Sequence, residues 1–497
     1  MSQLHEVQRP PTRVARLVAP TTLDEALAVL AERGPAARIV AGGTDLLVEL
    51  DRGQRRGLDT LVDPRRIPGL DEIVLEDGAE NGPEDPAEGG GGTKGDVTRP
   101  VVRIGALVTH NQVITSPVCR RHLRPLVEAC AEVGSPALRN RATVVGNVVT
   151  ASPANDTLSP LLVLGAECEI ASRRGIRRVP LERFVTGFRT TDLASDEMVV
   201  GLRVPALASD ERAVFVKAGL RRAQAISVVH LAALLAVDPA GRVSDARLAL
   251  GAVAPTVITV PAVAGLVGRR PDEAAIETAV AAAVEAAAPI DDLRADAAYR
   301  RHLVAVMTRR ALDLLAAPDE RPPLPAPPCL VSGDPADSAD QASAGGDAAA
   351  DPGADPAAGP VGACGREVRR GDDLSATVDG RRVTAPWRGD TLLDWLRDDA
   401  RIDAPKEGCA EGECGACTVV CDGAAVLACL VPAPRADGAT LVTAAGLADG
   451  ERLHPVQEAF VAHGAVQCGF CTPGFVVAAA ALLDEVPDPD PDTVVAG

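Results

Sequence analysis

Four cysteines near the carboxyl end of the chain have a spacing that suits metal binding. Cys409, Cys414 and Cys417 lie close together, and Cys429 follows further along. The spacing C-x4-C-x2-C with one distant cysteine is the plant-type pattern of [2Fe–2S] ligands, in which four thiolates converge on two iron atoms. The residue types and their order therefore predict a [2Fe–2S] cluster held by these four side chains.

Two glycines make this prediction sterically reasonable. Gly412 and Gly415 lie among the clustered cysteines, where the chain must turn sharply and bring its N–H groups toward the sulfur atoms. A zinc site and a disulfide pair are the alternative interpretations. Zinc sites usually contain two C-x2-4-C pairs, and disulfide frameworks are typical of short secreted chains, so the spacing favours iron.

The composition limits the class of protein. The chain has 497 residues, which is enough for about three or four domains. Apolar residues make up 46% and aromatic residues only 2%, so the cores must be packed mainly from Ala, Val and Leu. The formal net charge of −19 argues against nucleic acids and anionic membranes as partners. The sequence has no membrane-spanning run and no signal-peptide core, and seven of its twelve cysteines lie between Cys409 and Cys471 in a pattern typical of metal binding, so we expect a cytoplasmic protein.

Two glycine-containing segments in the first part of the chain could bind a nucleotide cofactor. A helix that begins at the Thr22/Glu25 capping pattern and stops at Gly34 is followed by an apolar strand, Ile39-Val40-Ala41, and then by Gly42-Gly43-Thr44-Asp45. Glycines after a strand let backbone amides approach a pyrophosphate, although the same pair would also suit an ordinary turn. Gly146-Asn147, Thr150, Ser152 and Asp156 could supply a second wall for a ribose or adenine.

The rest of the chain divides by composition and periodicity. An acidic, glycine-rich loop at 76–98 and a Pro/Ala/Asp/Gly/Ser-rich linker at 318–363 are expected to be disordered. After the linker, two hairpins with turns at Asp379-Gly380 and Asp422-Gly423 flank a short helix, which predicts a small, mostly β domain around the cluster loop. Helices beginning at Pro455 and Thr472-Pro473 complete the chain.

Several of these motifs together resemble those of the molybdenum hydroxylases, the family of xanthine dehydrogenase, carbon monoxide dehydrogenase and aldehyde oxidase. Lys406 to Val419 is close to the family's ferredoxin-like signature, and Gln467-Cys468-Gly469-Phe470-Cys471-Thr472-Pro473-Gly474 is similar to its second iron–sulfur motif. Arg38 to Leu47 and Asn140 to Asp156 resemble the two FAD-binding segments. The resemblance covers nearly everything outside the acidic loop and the linker.

The resemblance implies a multidomain α+β protein. Its expected parts are a two-part FAD-binding domain of the vanillyl-alcohol-oxidase/PCMH type (12–206), a CO dehydrogenase flavoprotein C-terminal-like domain (211–317), the linker (318–363), a β-grasp ferredoxin-type domain (366–443) and an incomplete helical [2Fe–2S] domain (446–497). The implied FAD-binding residues are Ile39, Val40, Ala41, Gly42, Gly43, Thr44, Asp45, Leu46, Thr143, Gly146, Asn147 and Asp156. The implied metal ligands are Cys409, Cys414, Cys417, Cys429, Cys468 and Cys471.

The resemblance also implies a function. The chain would be the electron-transfer part of a molybdenum hydroxylase, with FAD and [2Fe–2S] on this chain and molybdopterin on a separate large subunit with which it forms a hetero-oligomer. Electrons would pass to NAD+ or another acceptor, and xanthine is the favoured substrate by analogy. A stand-alone flavin and iron–sulfur reductase, a non-catalytic redox sensor and a defective remnant remain as alternatives.

The sequence departs from the family pattern in two places. Val145 stands before Gly146-Asn147 where the family usually has a first glycine, and a β-branched residue would be strained there if that position required a positive φ. A second C-x-C pair usually follows the Cys468/Cys471 motif, but none occurs before Gly497. Two thiolates cannot complete a second cluster, so we expect a truncated sequence, with assembly of a single cluster as the alternative.

Other candidates are expected to be structural. Cys119, Cys130 and Cys168 lie in apolar stretches and are predicted to be core residues, as are Trp387 and Trp395.

Overall fold

A computed structural model describes residues 14–77, 99–317, 322–331 and 365–497. Nearly all of the predicted acidic loop, and the predicted linker at 318–321 and 332–363, lie outside the described residues. The prediction of a disordered linker is wrong for 322–331. Cys329 and Leu330 are buried there, and their N–H groups donate to the carboxylate of Glu485 at 2.9 Å and 2.6 Å, so this stretch has both apolar and polar contacts that hold it.

The described secondary structure comprises the following strands and helices. The strands are β1 (Arg16–Ala19), β2 (Ala37–Ile39), β3 (Thr60–Val62), β4 (Ile73–Glu76), β5 (Val101–Gly105), β6 (Glu167–Ser172), β7 (Gly175–Pro180), β8 (Val185–Gly187), β9 (Thr190–Thr191), β10 (Met198–Pro205), β11 (Glu211–Ala218), β12 (Val229–Val237), β13 (Val243–Gly251), β14 (Ile258–Thr259), β15 (Arg366–Arg369), β16 (Asp373–Val378), β17 (Arg381–Pro386), β18 (Thr418–Cys421), β19 (Ala424–Leu427) and β20 (Thr440–Val442). The α-helices are α1 (Leu23–Arg33), α2 (Leu46–Asp51), α3 (His110–Thr115), α4 (Pro117–His122), α5 (Arg124–Ala131), α6 (Pro136–Arg139), α7 (Val144–Thr150), α8 (Leu158–Val163), α9 (Leu181–Phe184), α10 (Glu273–Ala286), α11 (Ala297–Ala316), α12 (Leu392–Asp394), α13 (Pro455–Ala462), α14 (Thr472–Glu485) and α15 (Pro491–Ala496).

The chain forms two compact units that do not follow its order. The first unit contains Met1–Pro68, Ser135–Arg141 and Pro327–Gly497, and the second contains Gly69–Gly134 and Ala142–Ala326. The amino-terminal residues therefore pack with the carboxyl-terminal modules rather than with the residues that follow them.

Two sheets organise the first unit. A four-stranded sheet has the order β15-β1-β3-β2, with β1 and β2 parallel to β3 and β15 antiparallel to β1. A five-stranded mixed sheet has the order β17-β16-β20-β18-β19, and the helical segment that begins with α12 packs near it. This is the small, mostly β domain predicted around the cluster loop, and β16–β17 and β18–β19 are the two predicted hairpins.

Local sequence signals explain several element boundaries. The Thr22 hydroxyl accepts a hydrogen bond from the N–H of Glu25 at 3.2 Å and starts α1, which ends at Gly34 with φ 52°. The Glu25 carboxylate accepts from the N–H of Thr21 at 2.8 Å, so the expected capping box is only half formed. The predicted strand Ile39–Ala41 is displaced toward the amino end, because β2 already ends at Ile39.

The second unit also contains two main sheets. One has the antiparallel order β4-β5-β10-β6-β7, and the other has the antiparallel order β11-β12-β13-β14 with α10 and α11 packed on it. The core under α10 and α11 is formed by aliphatic residues, as the low aromatic content predicted.

The predicted core residues are buried. Cys119, Cys130 and Cys168 are fully inaccessible, and Trp387 and Trp395 are at most 1% exposed. Burial raises the pKa of the Cys119 thiol to about 11 and that of Cys168 to about 12, because a thiolate would lose its hydration there. Among the residues that the structure describes, no helix is long and apolar enough to cross a membrane.

Candidate iron–sulfur and flavin sites

The four predicted ligands of the first cluster, Cys409, Cys414, Cys417 and Cys429, come together in the first unit as two pairs. Cys417 and Cys429 are buried, with their sulfur atoms 3.4 Å apart. The sulfur of Cys409 accepts hydrogen bonds from the N–H groups of Glu411, Glu413 and Cys414 at 3.4, 3.2 and 3.4 Å. The structure thus places all four predicted ligands around one loop, residues 409–417, which we call the first cluster loop.

The electrostatics of the site favour one thiolate in each pair. Although partial burial opposes ionisation, the three N–H donors hold the pKa of Cys409 below its ordinary value. The contact between the Sγ atoms of Cys417 and Cys429 lowers the pKa of Cys417, and the same contact, with burial, raises the pKa of Cys429. Burial and the nearby sulfur of Cys409 raise the pKa of Cys414. A cation bound among these sulfurs would relieve the repulsion that keeps the second thiol of each pair protonated.

Backbone conformation in the loop explains the need for glycine. Gly412 and Gly415 have φ values of 78° and 73°, which side-chain-bearing residues rarely adopt, and Ala410 also has a positive φ of 56°. A Cβ at Gly412 would collide with the side chain of Leu430. These turns let the backbone wrap around the sulfur of Cys409 while its N–H groups face inward.

The donor set fits a two-iron cluster. Four thiols in two pairs match the need of each iron for two protein thiolates. The arrangement therefore fits the predicted [2Fe–2S] centre.

Cys468 and Cys471 form a separate, exposed pair immediately before α14. Gly469 between them has φ 80°, so the chain turns tightly and both cysteines remain at the surface. The first residues of α14 pack on the first cluster loop. A Cβ at Gly474 would lie 2.9 Å from the carbonyl carbon of Gly415 and 3.0 Å from the Cα of Ala416.

The first predicted flavin segment also lies in the first unit. The chain leaves β2 at Ile39, passes through buried Gly42 and Gly43, and enters α2 at Leu46, while Thr44 and Asp45 are more exposed. Gly43 has φ 88°, and a Cβ there would lie 3.2 Å from the carbonyl oxygen of Leu430. Within the described residues, the N–H groups of 41–44 donate no hydrogen bond to the chain. Free amides in a tight glycine turn fit a pyrophosphate.

The second predicted flavin segment lies in the second unit from Ala142 onward, whereas its first two residues, Asn140 and Arg141, belong to the first unit. Thr143 caps α7, its hydroxyl accepting from the N–H of Gly146 at 3.0 Å, and a Cβ on Gly146 would lie 2.7 Å from that hydroxyl oxygen. The side-chain oxygen of Asn147 accepts a hydrogen bond from the Thr157 hydroxyl at 2.5 Å. The backbone carbonyl oxygen of Asn147 accepts one from the side-chain amide of Asn155 at 2.6 Å. Asn147 therefore shapes the loop that follows the helix.

Asp156 has partners within the protein. Its carboxylate lies 2.7 Å from Nζ of Lys217 and 2.6 Å from the hydroxyl of Ser227, and the residue is 6% exposed. The carboxylate thus ties the loop after α7 to β11 and to the segment before β12.

Val145 is not strained. It lies within α7, is not among the residues with positive φ, and is 4% exposed. The strain considered for a β-branched residue at this position is therefore absent, because the position is helical and its side chain packs in the core.

Sequence reasoning missed Arg435 and Asp63. Arg435 lies in the turn Ala433–Ala436 of the small β domain predicted at 366–443, which we call the ferredoxin module. Its side chain is 1% exposed and forms an ion pair with Asp63 at 2.9 Å. Its Nη2 atom also donates to the carbonyl oxygens of Val40 and Ala41, both at 2.7 Å. Neither residue belongs to a motif, and they are far apart in the sequence, so no local signal pointed to this contact.

Comparison with protein families accounts for most of the chain. The FAD binding domain in molybdopterin dehydrogenase matches residues 12–80 and 96–207, and the CO dehydrogenase flavoprotein C-terminal domain matches 214–315. A 2Fe-2S iron-sulfur cluster binding domain matches 376–445, and a [2Fe-2S] binding domain matches 443–496.

Relatives match the two parts separately. The xanthine dehydrogenase FAD-binding subunit of Escherichia coli O157:H7 is 31% identical over 59% of this chain and 92% of its own length. The nicotine 6-hydroxylase small subunit of Paenarthrobacter nicotinovorans is 46% identical over 25% of this chain and 74% of its own length. A solved structure of carbon monoxide dehydrogenase from Hydrogenophaga pseudoflava matches with TM-score 0.54 and 30% identity, covering 62% of this chain and 99% of that one.

Proposed function

This chain belongs to the molybdenum hydroxylase family as a fusion of its FAD-binding and [2Fe–2S] components, and we propose that it is the electron-transfer component of such an enzyme. Bound [2Fe–2S] clusters would carry single electrons from a molybdopterin-binding partner subunit, and bound FAD would collect them in pairs for an acceptor. The protein residues would bind these groups, set their spacing and shield them from water.

Specific residues take these roles in the proposal. Cys409, Cys414, Cys417 and Cys429 would hold the first cluster, and Cys468 and Cys471 would supply two ligands of a second. FAD would be bound by residues 39–46 of the first segment and by Thr143, Gly146, Asn147 and Asp156 of the second. For Asp156 the role would be indirect, since its carboxylate is already paired with Lys217 and Ser227.

One observation carries the proposal: the first cluster loop and the first flavin segment pack directly on each other within the first unit. Leu430 follows the ligand Cys429, and its carbonyl oxygen would lie only 3.2 Å from a Cβ placed on Gly43. Arg52, just after α2, forms an ion pair with Glu411 of the cluster loop. The residue next to a cluster ligand and the flavin loop (residues 40–45) are therefore close together, as electron transfer between the two groups would require.

The finer parts of the proposal rest on analogy. Xanthine as the substrate is supported by similarity to a xanthine dehydrogenase subunit, while similarity to nicotine 6-hydroxylase supports an N-heterocycle more broadly. NAD+ is the proposed acceptor. The described cysteines are free, which supports a reducing, cytoplasmic location.

Iron and flavin analysis of the full chain tests the proposal. After anaerobic reconstitution we expect one FAD and about two irons per chain for the first cluster, or about four if a second cluster is completed. The reduced protein should show a [2Fe–2S] electron paramagnetic resonance signal, and FAD should be reduced through it. Zinc in place of iron, or absence of both iron and FAD, would overturn the proposal. Sustained NADH-to-dye turnover by the chain alone would instead favour a stand-alone reductase.

A further inference from the structure

One buried arginine joins the ferredoxin module to the flavin loop. Nη2 of Arg435 donates to the carbonyl oxygens of Val40 and Ala41, both at 2.7 Å. The same side chain contacts both oxygens of Asp63, with Nε 2.9 Å from Oδ2 and Nη2 3.1 Å from Oδ1. The planar guanidinium thus binds a carboxylate and two successive carbonyls at once, which an ammonium group cannot do in the same geometry.

The position of Asp63 follows from the sheet. Because β2 and β3 are parallel and adjacent, their carboxyl ends lie at the same edge. Asp63 directly follows β3, and the flavin loop directly follows β2. Asp63 therefore lies beside the loop, where it neutralises the buried charge of Arg435 and orients the guanidinium.

The two carbonyl contacts determine where the loop's amides point. In a planar trans peptide the C=O and the following N–H point in opposite directions. When the carbonyls of Val40 and Ala41 face Arg435, the N–H groups of Ala41 and Gly42 must face away from it. Those two N–H groups are among the amides that donate no hydrogen bond within the described part of the chain.

We propose that Arg435 is a positioning residue for FAD: from the ferredoxin module it aligns the amides of Ala41 and Gly42 toward the pyrophosphate. This inference rests on the proposed function. Flavin affinity then depends on a residue outside the FAD-binding domain, and the ferredoxin module completes the flavin site in addition to holding the cluster.

Arg435→Lys in the full chain tests the proposal. Lysine keeps the positive charge beside Asp63 but cannot hold both carbonyls and the carboxylate. We expect the dissociation constant for FAD to rise about tenfold or more, since hydrogen bonds from a charged group are lost. The [2Fe–2S] signal should remain at wild-type intensity, because Arg435 contacts no cluster ligand.

Fragments of FAD separate positioning from general destabilisation. ADP carries the pyrophosphate and riboflavin does not, so Arg435→Lys should weaken ADP binding as much as FAD binding and leave riboflavin binding unchanged. Equal loss for ADP and riboflavin would mean a general structural defect and would overturn the proposal, as would unchanged FAD and ADP binding.

Arg65→Lys is the matched control. Arg65 also contacts Asp63, with Nε 3.0 Å from Oδ2, but its side chain is 39% exposed and touches neither loop carbonyl. This variant should bind FAD and ADP like the wild type. If it weakens them as much as Arg435→Lys does, the effect belongs to Asp63 and the carbonyl contacts are not responsible. Failure of the wild-type chain itself to bind FAD would refute the proposed function, whereas normal FAD binding by Arg435→Lys refutes only the role of Arg435.

Discussion

At the scale of single residues, the cluster loop shows how a few atoms control metal chemistry. Three backbone N–H groups donate hydrogen bonds to the sulfur of Cys409 and stabilise its thiolate, which is the form that binds iron. The pKa of Cys414 is instead raised by burial and by the neighbouring Cys409 sulfur. Its ionisation therefore depends on the positive charge of bound iron.

Replacing Cys414 by serine should remove the first cluster. In the full chain, Cys414→Ser is expected to abolish the visible absorption and the resonance signal of this centre while FAD stays bound, because the flavin loop keeps its own contacts. Cys421→Ser is the control. Cys421 lies on β18 outside the two thiol pairs. Burial raises its pKa to about 11, which disfavours the thiolate that metal binding requires. Wild-type absorption in Cys414→Ser would show that the ligand assignment is wrong.

His230 gives a pH-dependent prediction at the same scale. Its ring is fully buried, with Nδ1 2.9 Å from the Ser159 hydroxyl and Nε2 3.2 Å from the carbonyl oxygen of Pro153. Burial lowers the pKa of His230, and nearby Lys217 lowers it further, while Asp156 and the Pro153 carbonyl oppose the shift.

The sign follows from proton binding. Since the folded-state pKa is lowered, the unfolded chain binds the proton more readily, and the stability of the second unit should fall as the pH drops below about 6.5. Each unit of pKa difference is worth about 1.4 kcal/mol. His230→Gln should flatten the decrease in melting temperature between about pH 8 and pH 5. Identical slopes in wild type and His230→Gln would contradict the prediction.

At the scale of elements, α14 and the first cluster loop are in backbone contact. The helix begins directly after Cys471, and Gly474 allows its first turn to approach Gly415 and Ala416 because no side chain intervenes. The exposed Cys468/Cys471 pair is thereby held next to the first cluster loop, which is the arrangement that transfer of electrons between two clusters would need.

Gly474→Ala tests this packing. The added methyl group would overlap the backbone of Gly415, so we expect destabilisation of about 1–3 kcal/mol and a lower yield of the first cluster on reconstitution. Thermal unfolding and iron content measure both effects. Phe475→Ala, at a neighbouring side chain that is 60% exposed, should change neither. A normal cluster yield in Gly474→Ala would mean that the helix can move away from the loop at no cost.

At the scale of the whole molecule, strands from the amino-terminal and carboxyl-terminal parts of the described chain share one sheet and one core in the first unit. Strand β1 pairs with β15 from Arg16–Arg369 to Ala19–Arg366, and Leu17, Leu47 and Leu61 belong to the same apolar cluster as Trp395 and Leu441. The fusion is therefore built into the fold of this unit, since the flavin loop and the ferredoxin module share their core.

A cleavage experiment tests this integration. A protease site introduced at residues 340–350 should allow the chain to be cut, and the two fragments should still elute together because the β1–β15 pairing and the shared core hold them. Leu17→Asp in the cut protein should release the fragments, since Leu17 is 4% exposed and a buried carboxylate there would have no partner in the core. Separation of the wild-type fragments at micromolar concentration would contradict the shared core.

The sequence by itself determined the elements and chemistry that depend on neighbouring residues. Local capping and turn preferences predicted α1 and both hairpins of the ferredoxin module, and cysteine spacing predicted which thiols converge, because short-range geometry is set by short-range chemistry. It could not predict the Arg435–Asp63 contact, the close approach of Gly474 to Gly415, the burial of residues 329–330 or the pairing of β1 with β15. Only the tertiary structure decided these, since each joins segments far apart in the chain whose own residues carry no signal of the partner.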